Sequence, residues 1–229
     1  MIISHSRKFI FIKSAKTAGT SLETALSNYC AGDDVVTPLG DYEFNKDPTG
    51  RWQHQAMNVG DFQQHDWAVT IRDKVGPAIW NDYFKFSIAR NPWDRVVSLY
   101  TWKSRNERKN QAGPGLLGKL IGKDDSLQQT RAKFSQFLAG DWDTNDRFYV
   151  IDDELCVDFV LRYESLADDV VTLCSRLGIP TIELPRLKSG FRKDELHYSD
   201  YYDEASKALV GERHRNDLRF FGYRFERAA

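Results

Sequence analysis

Phe9-Ile10-Phe11-Ile12 is an unbroken apolar, β-prone run, which suits a strand buried on both faces inside a parallel sheet. Directly behind it stands a loop of small residues, Lys13-Ser14-Ala15-Lys16-Thr17-Ala18-Gly19-Thr20-Ser21. Leu22, Ala25, Leu26 and Tyr29 then recur at the i, i+3, i+4, i+7 spacing of an amphipathic helix. A second unit of this kind covers residues 83–89, where Phe84, Phe86 and Ile88 are apolar and Ser87 and Ala89 small. Asn91 reads as the N-cap of the helix that follows, with Pro92 at its first position and Val96, Val97, Leu99 and Tyr100 on its apolar stripe. Each unit sets the C-terminal end of a strand beside the start of a helix. That is the edge at which open α/β sheets bind ligands.

The rest of the chain alternates in the same manner. Residues 156–162 read as another strand, and Ser165-Leu166-Ala167-Asp168 as a capping box opening a helix that ends near Gly178-Ile179-Pro180. Tyr202, Ala205, Leu209 and Val210 mark a last amphipathic helix. Residues 103–147 are polar and carry Gly113-Pro114-Gly115, Gly118 and Gly122, so an excursion with a loop and a short helix around 134–138 is expected. The fold class is therefore α/β, a central parallel sheet flanked by helices, within one enlarged domain over residues 1–229. The 41% hydrophobic content can fill such a core.

With 32 basic against 33 acidic residues the net charge is -1, which leaves no global field to gather nucleic acid or an anionic membrane surface. Any anion site must be local. Cys30, Cys156 and Cys174 are far apart and fit neither a disulfide framework nor a zinc site, so all three read as small core residues in a reducing compartment. No apolar run reaches the roughly 20 residues of a membrane span, and the expectation is a soluble, cytoplasmic protein.

Unpaired N–H groups and the positive dipole end make a helix start, entered by a tight loop of small residues, a cradle for phosphate. In residues 13–21, Thr17, Thr20 and Ser21 add hydroxyls, Gly19 permits close backbone approach and Lys16 supplies a flexible point charge. The same composition fits an ordinary βα turn, and the loop alone does not decide between the two. The Walker order Gly-Lys-Ser/Thr is absent because the lysine precedes Gly19, which disfavours a magnesium-dependent NTPase or kinase.

The two units together resemble the sulfotransferases that use 3′-phosphoadenosine 5′-phosphosulfate (PAPS), in the heparan-sulfate 2-O-sulfotransferase-like group of carbohydrate sulfotransferases. Lys16-Thr17-Ala18-Gly19-Thr20-Ser21 matches that family's 5′-phosphosulfate loop. Arg90-Asn91-Pro92-Trp93-Asp94-Arg95, continuing to Ser98 and Tyr100, is similar to its 3′-phosphate motif. Further similarity runs through residues 158–166 and 220–223. Ala15 departs from the pattern, because the family has proline there, and loop stiffness is what that puts in question.

The resemblance implies a P-loop-like fold and sulfuryl transfer from PAPS, with no metal required, to a hydroxyl acceptor expected on a saccharide. It implies that residues 16–21 hold the 5′ end of the donor and that Arg90 and Ser98 hold the 3′-phosphate. Arg95 is expected in a structural pair with Asp94 or Glu164. Lys16 is the expected stabiliser of the leaving oxygen, and His54, lying between the two motifs, is the expected base; His65 is the runner-up. Residues 186–193 hold Arg186, Lys188, Arg192 and Lys193 with Ser189-Gly190 and no acid. Lys188, Ser189 and Arg192 are candidate cofactor contacts on a loop folding over the nucleotide, though solvated surface charge fits them equally. An inactive nucleotide- or glycan-binding module on the same fold is the alternative, and a P-loop-type kinase the second.

Overall fold

The computed structural model describes residues 1–39, 54–112, 126–185 and 196–227. In chain order the elements are β1 (Ile2–Ser4), β2 (Phe9–Phe11), α1 (Gly19–Ser27), β3 (Val35–Val36), α2 (Ala68–Asp82), β4 (Phe84–Ala89) and α3 (Pro92–Ala112). They continue with α4 (Leu127–Ala139), β5 (Val150–Ile151), β6 (Glu154–Leu155), β7 (Phe159–Arg162), α5 (Leu166–Leu177), α6 (Glu204–Arg213) and α7 (Arg215–Phe221). These pack as two compact units, Met1–Arg90 with Asn145–Leu187 and Asn91–Thr144 with Lys188–Ala229.

The first unit is built on a five-stranded sheet in the order β3-β1-β2-β4-β7. β2, β4 and β7 are parallel, with Phe11 opposite Phe86 and Phe86 opposite Phe159. β2 and β4 thus lie side by side in the sheet: residues 9–11 are apolar throughout, whereas in 84–89 Phe84, Phe86 and Ile88 alternate with Lys85, Ser87 and Ala89. β1 and β3 add an antiparallel edge to this parallel centre: β1 runs antiparallel to both β2 and β3. Ile2-Ile3 is too short a run to announce a strand, and it is the hairpin to β2 that makes one. α1 and α5 contribute Leu22, Leu26, Val170 and Leu173 to the sheet's buried core. Gly178, in the left-handed region at φ 63, ends α5 as expected. The capping box expected at its start is not formed: Ser165 caps no helix N–H and instead donates to Asp169 at 3.2 Å.

The second unit is helical. α3 runs on through residues 103–112, where an excursion was expected, so the polar composition there belongs to a helix. α4 is longer than the short helix expected, because Ser126 and Gln129 form a capping box that starts it. Trp93, Val96, Tyr100, Phe134, Tyr201, Tyr202 and Val210 make its core. Asn91 caps α3 as expected, its side-chain oxygen accepting from Trp93 N at 3.1 Å. α6 opens at Glu204, with Asp203 as its cap, and so begins after Tyr202.

Phe86 sits at the centre of the sheet, fully buried, stacked on Phe11 at 5.3 Å between ring centroids and touching Phe9 and Phe84. Phe86→Ala should lower the unfolding free energy by about 3–5 kcal/mol, measured by urea denaturation. A loss below about 1 kcal/mol would mean that the ring is not the keystone of this core.

Candidate active site

The ends of β2 and β4 are cross-tied. Ile12 N donates to the Phe86 carbonyl at 2.9 Å, the Ser87 hydroxyl to the Ile12 carbonyl at 2.7 Å, and the Ser14 hydroxyl to the Ile88 carbonyl at 2.5 Å. Ser14's one proton goes to Ile88, so in its 2.8 Å contact with Thr17 it is the acceptor and Thr17 Oγ1 the donor. The Thr17 hydroxyl is fully buried and closes the loop from within; what this residue leaves for an anion is its backbone N–H.

Lys16 (φ 66) and Ala18 (φ 64) both lie in the left-handed region, and Ala18 is the N-cap from which α1 starts. Residues of alternating hand turn successive N–H groups toward one concavity, a geometry suited to anions. Among the described residues, no hydrogen bond is made by the N–H of Thr17, Ala18 or Gly19. Gly19 is needed for closeness, though the close neighbour belongs to the protein: a Cβ there would stand 2.9 Å from Lys13 Cγ. Thr20 and Ser21 are buried in the first turn of α1.

Ala15 explains how this loop is held without proline. The buried Asn145 grips both polar groups of Ala15: its Nδ2 donates to the Ala15 carbonyl at 2.9 Å, and its Oδ1 accepts from the Ala15 N–H at 3.3 Å. A proline would have no N–H to give. The positive φ of the next residue, Lys16, matches the third position of a type II turn, whose second position favours proline. Asn145 therefore supplies by hydrogen bonding the restraint that a ring would supply covalently.

Arg90, directly after β4, reaches the same loop. Its Nη1 donates to the Lys16 carbonyl at 2.9 Å, and its guanidinium lies over the Tyr163 ring, 4.0 Å from the centroid. The two motif residues on neighbouring strand ends are thus brought together. Ser98 lies on α3 in the second unit, where its carbonyl accepts from Thr101 Oγ1. Lys188, Ser189 and Arg192 lie outside the described residues. Arg95 is buried and donates to the Asp143 carbonyl.

His54 is half-buried, and its Nε2 lies 2.9 Å from the Thr37 carbonyl. A carbonyl only accepts, so Nε2 carries the proton, and the neutral ring keeps its lone pair on Nδ1. That nitrogen is buried with no hydrogen-bond partner among the described residues. Burial holds the imidazole below its ordinary pKa of 6.5, against the Thr37 bond, which raises it. His65 places Nδ1 2.9 Å from the Lys13 carbonyl. Desolvation by the surrounding protein and the Lys13 charge bring it down to about 4, although one part of the residue stays exposed.

Beneath both histidines lies a cluster of buried polar groups that the sequence did not flag. Glu23, on α1, is fully buried and accepts from Lys13 Nζ at 2.6 Å, from Thr37 Oγ1 at 2.9 Å and from the Met1 amino group. Burial alone would raise its carboxyl pKa, but the Met1 and Lys13 charges and their hydrogen bonds hold it below the usual range. Of the three cysteines expected in the core, Cys174 is buried there, Cys30 packs half-buried against it and Cys156 is half-buried; burial pushes the Cys30 and Cys156 thiols up to about 12 and raises Cys174. Among the described residues, no group of three or more His, Cys, Asp or Glu is arranged to hold a metal ion, and no helix is long and apolar enough to cross a membrane.

The model of the sulfotransferase family matches residues 1–224, and the chain belongs to that family. It is a sulfuryl-transferring enzyme by class. An uncharacterised protein of Archaeoglobus fulgidus is 29% identical over 110 residues, 48% of this chain and 80% of that protein. Carbohydrate sulfotransferase 10 of Xenopus laevis is 27% identical over 172 residues, 63% of this chain and 48% of that protein, so the match spans about half of the frog enzyme. A solved sulfotransferase from Alicyclobacillus acidocaldarius aligns over 95% of this chain and 96% of its own, at 16% identity and a TM-score of 0.37.

If Asn145 replaces the missing ring, Asn145→Ala should speed amide hydrogen exchange at residues 15–19. It should also lower stability by about 1–3 kcal/mol, the cost of stranding buried polar groups. Ala15→Pro introduced into that variant should slow the exchange again, whereas independent effects of the two changes would refute the compensation.

Proposed function

We propose that the protein transfers the sulfuryl group of PAPS to a hydroxyl of a saccharide acceptor. The observation that carries this reading is the meeting of Lys16 and Arg90 at the ends of two cross-tied parallel strands, beside the uncommitted N–H groups of Thr17, Ala18 and Gly19. A donor carrying anionic groups at both ends of an adenosine needs such paired positive ends. The carbohydrate acceptor rests on the name of the frog relative, and PAPS on the two matched motifs.

In this reading the donor supplies a sulfuryl group joined to its 5′-phosphate by a bridging oxygen. That S–O bond breaks as the acceptor oxygen forms a new one, and adenosine 3′,5′-bisphosphate leaves. The N–H groups of residues 17–19 hold the 5′-phosphate, and the Lys16 ammonium neutralises charge gathering on the leaving oxygen. Arg90 serves the 3′-phosphate through its planar fork, held in place by the Tyr163 ring and the Lys16 carbonyl. His54 Nδ1, a buried nitrogen with no hydrogen-bond partner among the described residues, takes the proton that the acceptor hydroxyl loses.

Two measurements test the assignment. Lys16→Ala should lower kcat by about 10²–10³-fold with a much smaller loss of affinity for adenosine 3′,5′-bisphosphate; near-normal turnover would remove the lysine from the chemistry. The bisphosphate should raise the melting temperature of the wild type where ATP, with or without magnesium, does not. For His54 the sign follows from burial. A ring whose pKa is held below 6.5 is already in its proton-accepting form at neutrality, so kcat/KM should fall only as pH drops below 6.5. A His54→Ala enzyme that keeps turnover and this limb would assign the base elsewhere.

A further inference from the structure

We propose that Glu23 is a positioning residue that fixes, from one carboxylate, both the donor loop and the proton-bearing nitrogen of His54. The inference rests on the reading of His54 as the base and adds what sets it.

Three links connect Glu23 to the imidazole. Its Oε1 accepts from the Thr37 hydroxyl at 2.9 Å, the Thr37 main chain is held to Met1 by an N–H bond of 3.1 Å, and the Thr37 carbonyl accepts from His54 Nε2 at 2.9 Å. Thr37 and Glu23 are both fully buried, so neither can take water in place of these partners. The direction of the Thr37 carbonyl is therefore decided from two sides. That carbonyl determines the tautomer, and the tautomer leaves Nδ1 as the acceptor. A base oriented by a third group is the usual partner of an activated hydroxyl.

On its other side the carboxylate holds the loop. Glu23 Oε2 accepts from Lys13 Nζ at 2.6 Å. The Lys13 stem lies beneath Gly19, against the position a Cβ would need, and the Lys13 carbonyl anchors His65. Glu23 thus stands one turn into α1 and reaches the last residues before the cradle as well as the residue after β3. The charged groups bearing on His54 are Glu23 from α1, Lys13 from the end of β2 and the Met1 amino group from the start of β1. Of these, Glu23 attracts the imidazolium and the other two oppose it.

Thr37→Val cuts the link with little change of shape, and Thr37→Ser restores the hydroxyl. With the ring nitrogens labelled with nitrogen-15 and no donor present, long-range proton–nitrogen spectra read the His54 tautomer and its titration directly; His54→Gln assigns the signal. The wild type and Thr37→Ser should show a proton on Nε2 and a bare Nδ1. Thr37→Val should show mixed tautomers and a titration midpoint moved up toward 6.5, as the ring loosens toward water. Its kcat should fall about tenfold or more, a share of the roughly 10²–10⁴ that a positioned base contributes, while binding of adenosine 3′,5′-bisphosphate barely moves. Glu23→Gln should shift the tautomer in the same direction; if it fails to fold, the Thr37 pair decides alone. A Thr37→Val protein with the wild-type tautomer and midpoint overturns the proposal whatever its turnover. Because the spectra need no donor, they stand even if the protein transfers no sulfuryl group, and that failure would fall on the proposed function instead.

Discussion

Three hydrogen bonds between the ends of β2 and β4 set the geometry from which the site follows. The ladder of a parallel pair would hold the strands in register without them, but it stops at the last paired residue. Ser87 and Ser14 carry the pairing beyond that point, each giving its one proton to a carbonyl on the opposite chain. Small side chains are needed for this, since a larger residue at either position would hold the backbones apart. The loop after β2 and the arginine after β4 therefore leave the sheet side by side, and Arg90 meets the Lys16 carbonyl. An enzyme that must hold a long anionic donor at two points gains from having both points fixed to one buried pair of strands.

Fixing the loop is costly. Two residues other than glycine, Lys16 and Ala18, occupy the left-handed region, at about 1–3 kcal/mol each. The offset is spread over the Ser14–Thr17 contact, the double bond from Asn145 to Ala15 and the packing of Lys13 beneath Gly19. At about 1 kcal/mol for each hydrogen bond, these are of the size needed to hold the strained form. What the strain secures is a set of N–H groups turned away from internal partners. A relaxed turn would close them on its own carbonyls and lose the cradle.

Much of this was legible from the chain alone. Residues 9–11 are apolar throughout, Phe84, Phe86 and Ile88 recur at every second position of 84–89, and the segments after both have helical spacing, so both strand–loop–helix units could be read in place. The bond from His54 to Thr37 was not legible, because nothing local ties the two. Asn145 lies 130 residues from Ala15, and a lone asparagine in a polar stretch carries no signal of such a partner. α2 carries Gly76, at φ 76, and Pro77 within it, and residues of these types interrupt the helical pattern in a sequence. The pairing of Lys13 with Glu23 was hidden as well, because one stands in a loop and the other on a helix of amphipathic spacing, where a charge needs no buried partner.

That buried pair also bears on how a protein with a net charge of -1 presents a positive site. Lys13 lies close to the loop, but its ammonium is turned inward and balanced by Glu23, so it adds little to the field outside. In the proposed reading the positive character met by a ligand comes instead from Lys16, from Arg90 on its aromatic support and from the start of α1, where the first turn has no acidic residue to oppose it. Lys13 and Glu23 spend their charge on shape. A buried ion pair is a poor source of stability, since replacing both partners by apolar groups is often neutral, yet losing one partner strands the other at about 3–5 kcal/mol. Such a pair tolerates little displacement, and here its two ends reach the loop after β2 and Thr37, whose carbonyl meets His54. In the proposed reading the two tasks of charge are separate: half-buried cations attract the anion, and the fully buried pair keeps the groups around it from moving.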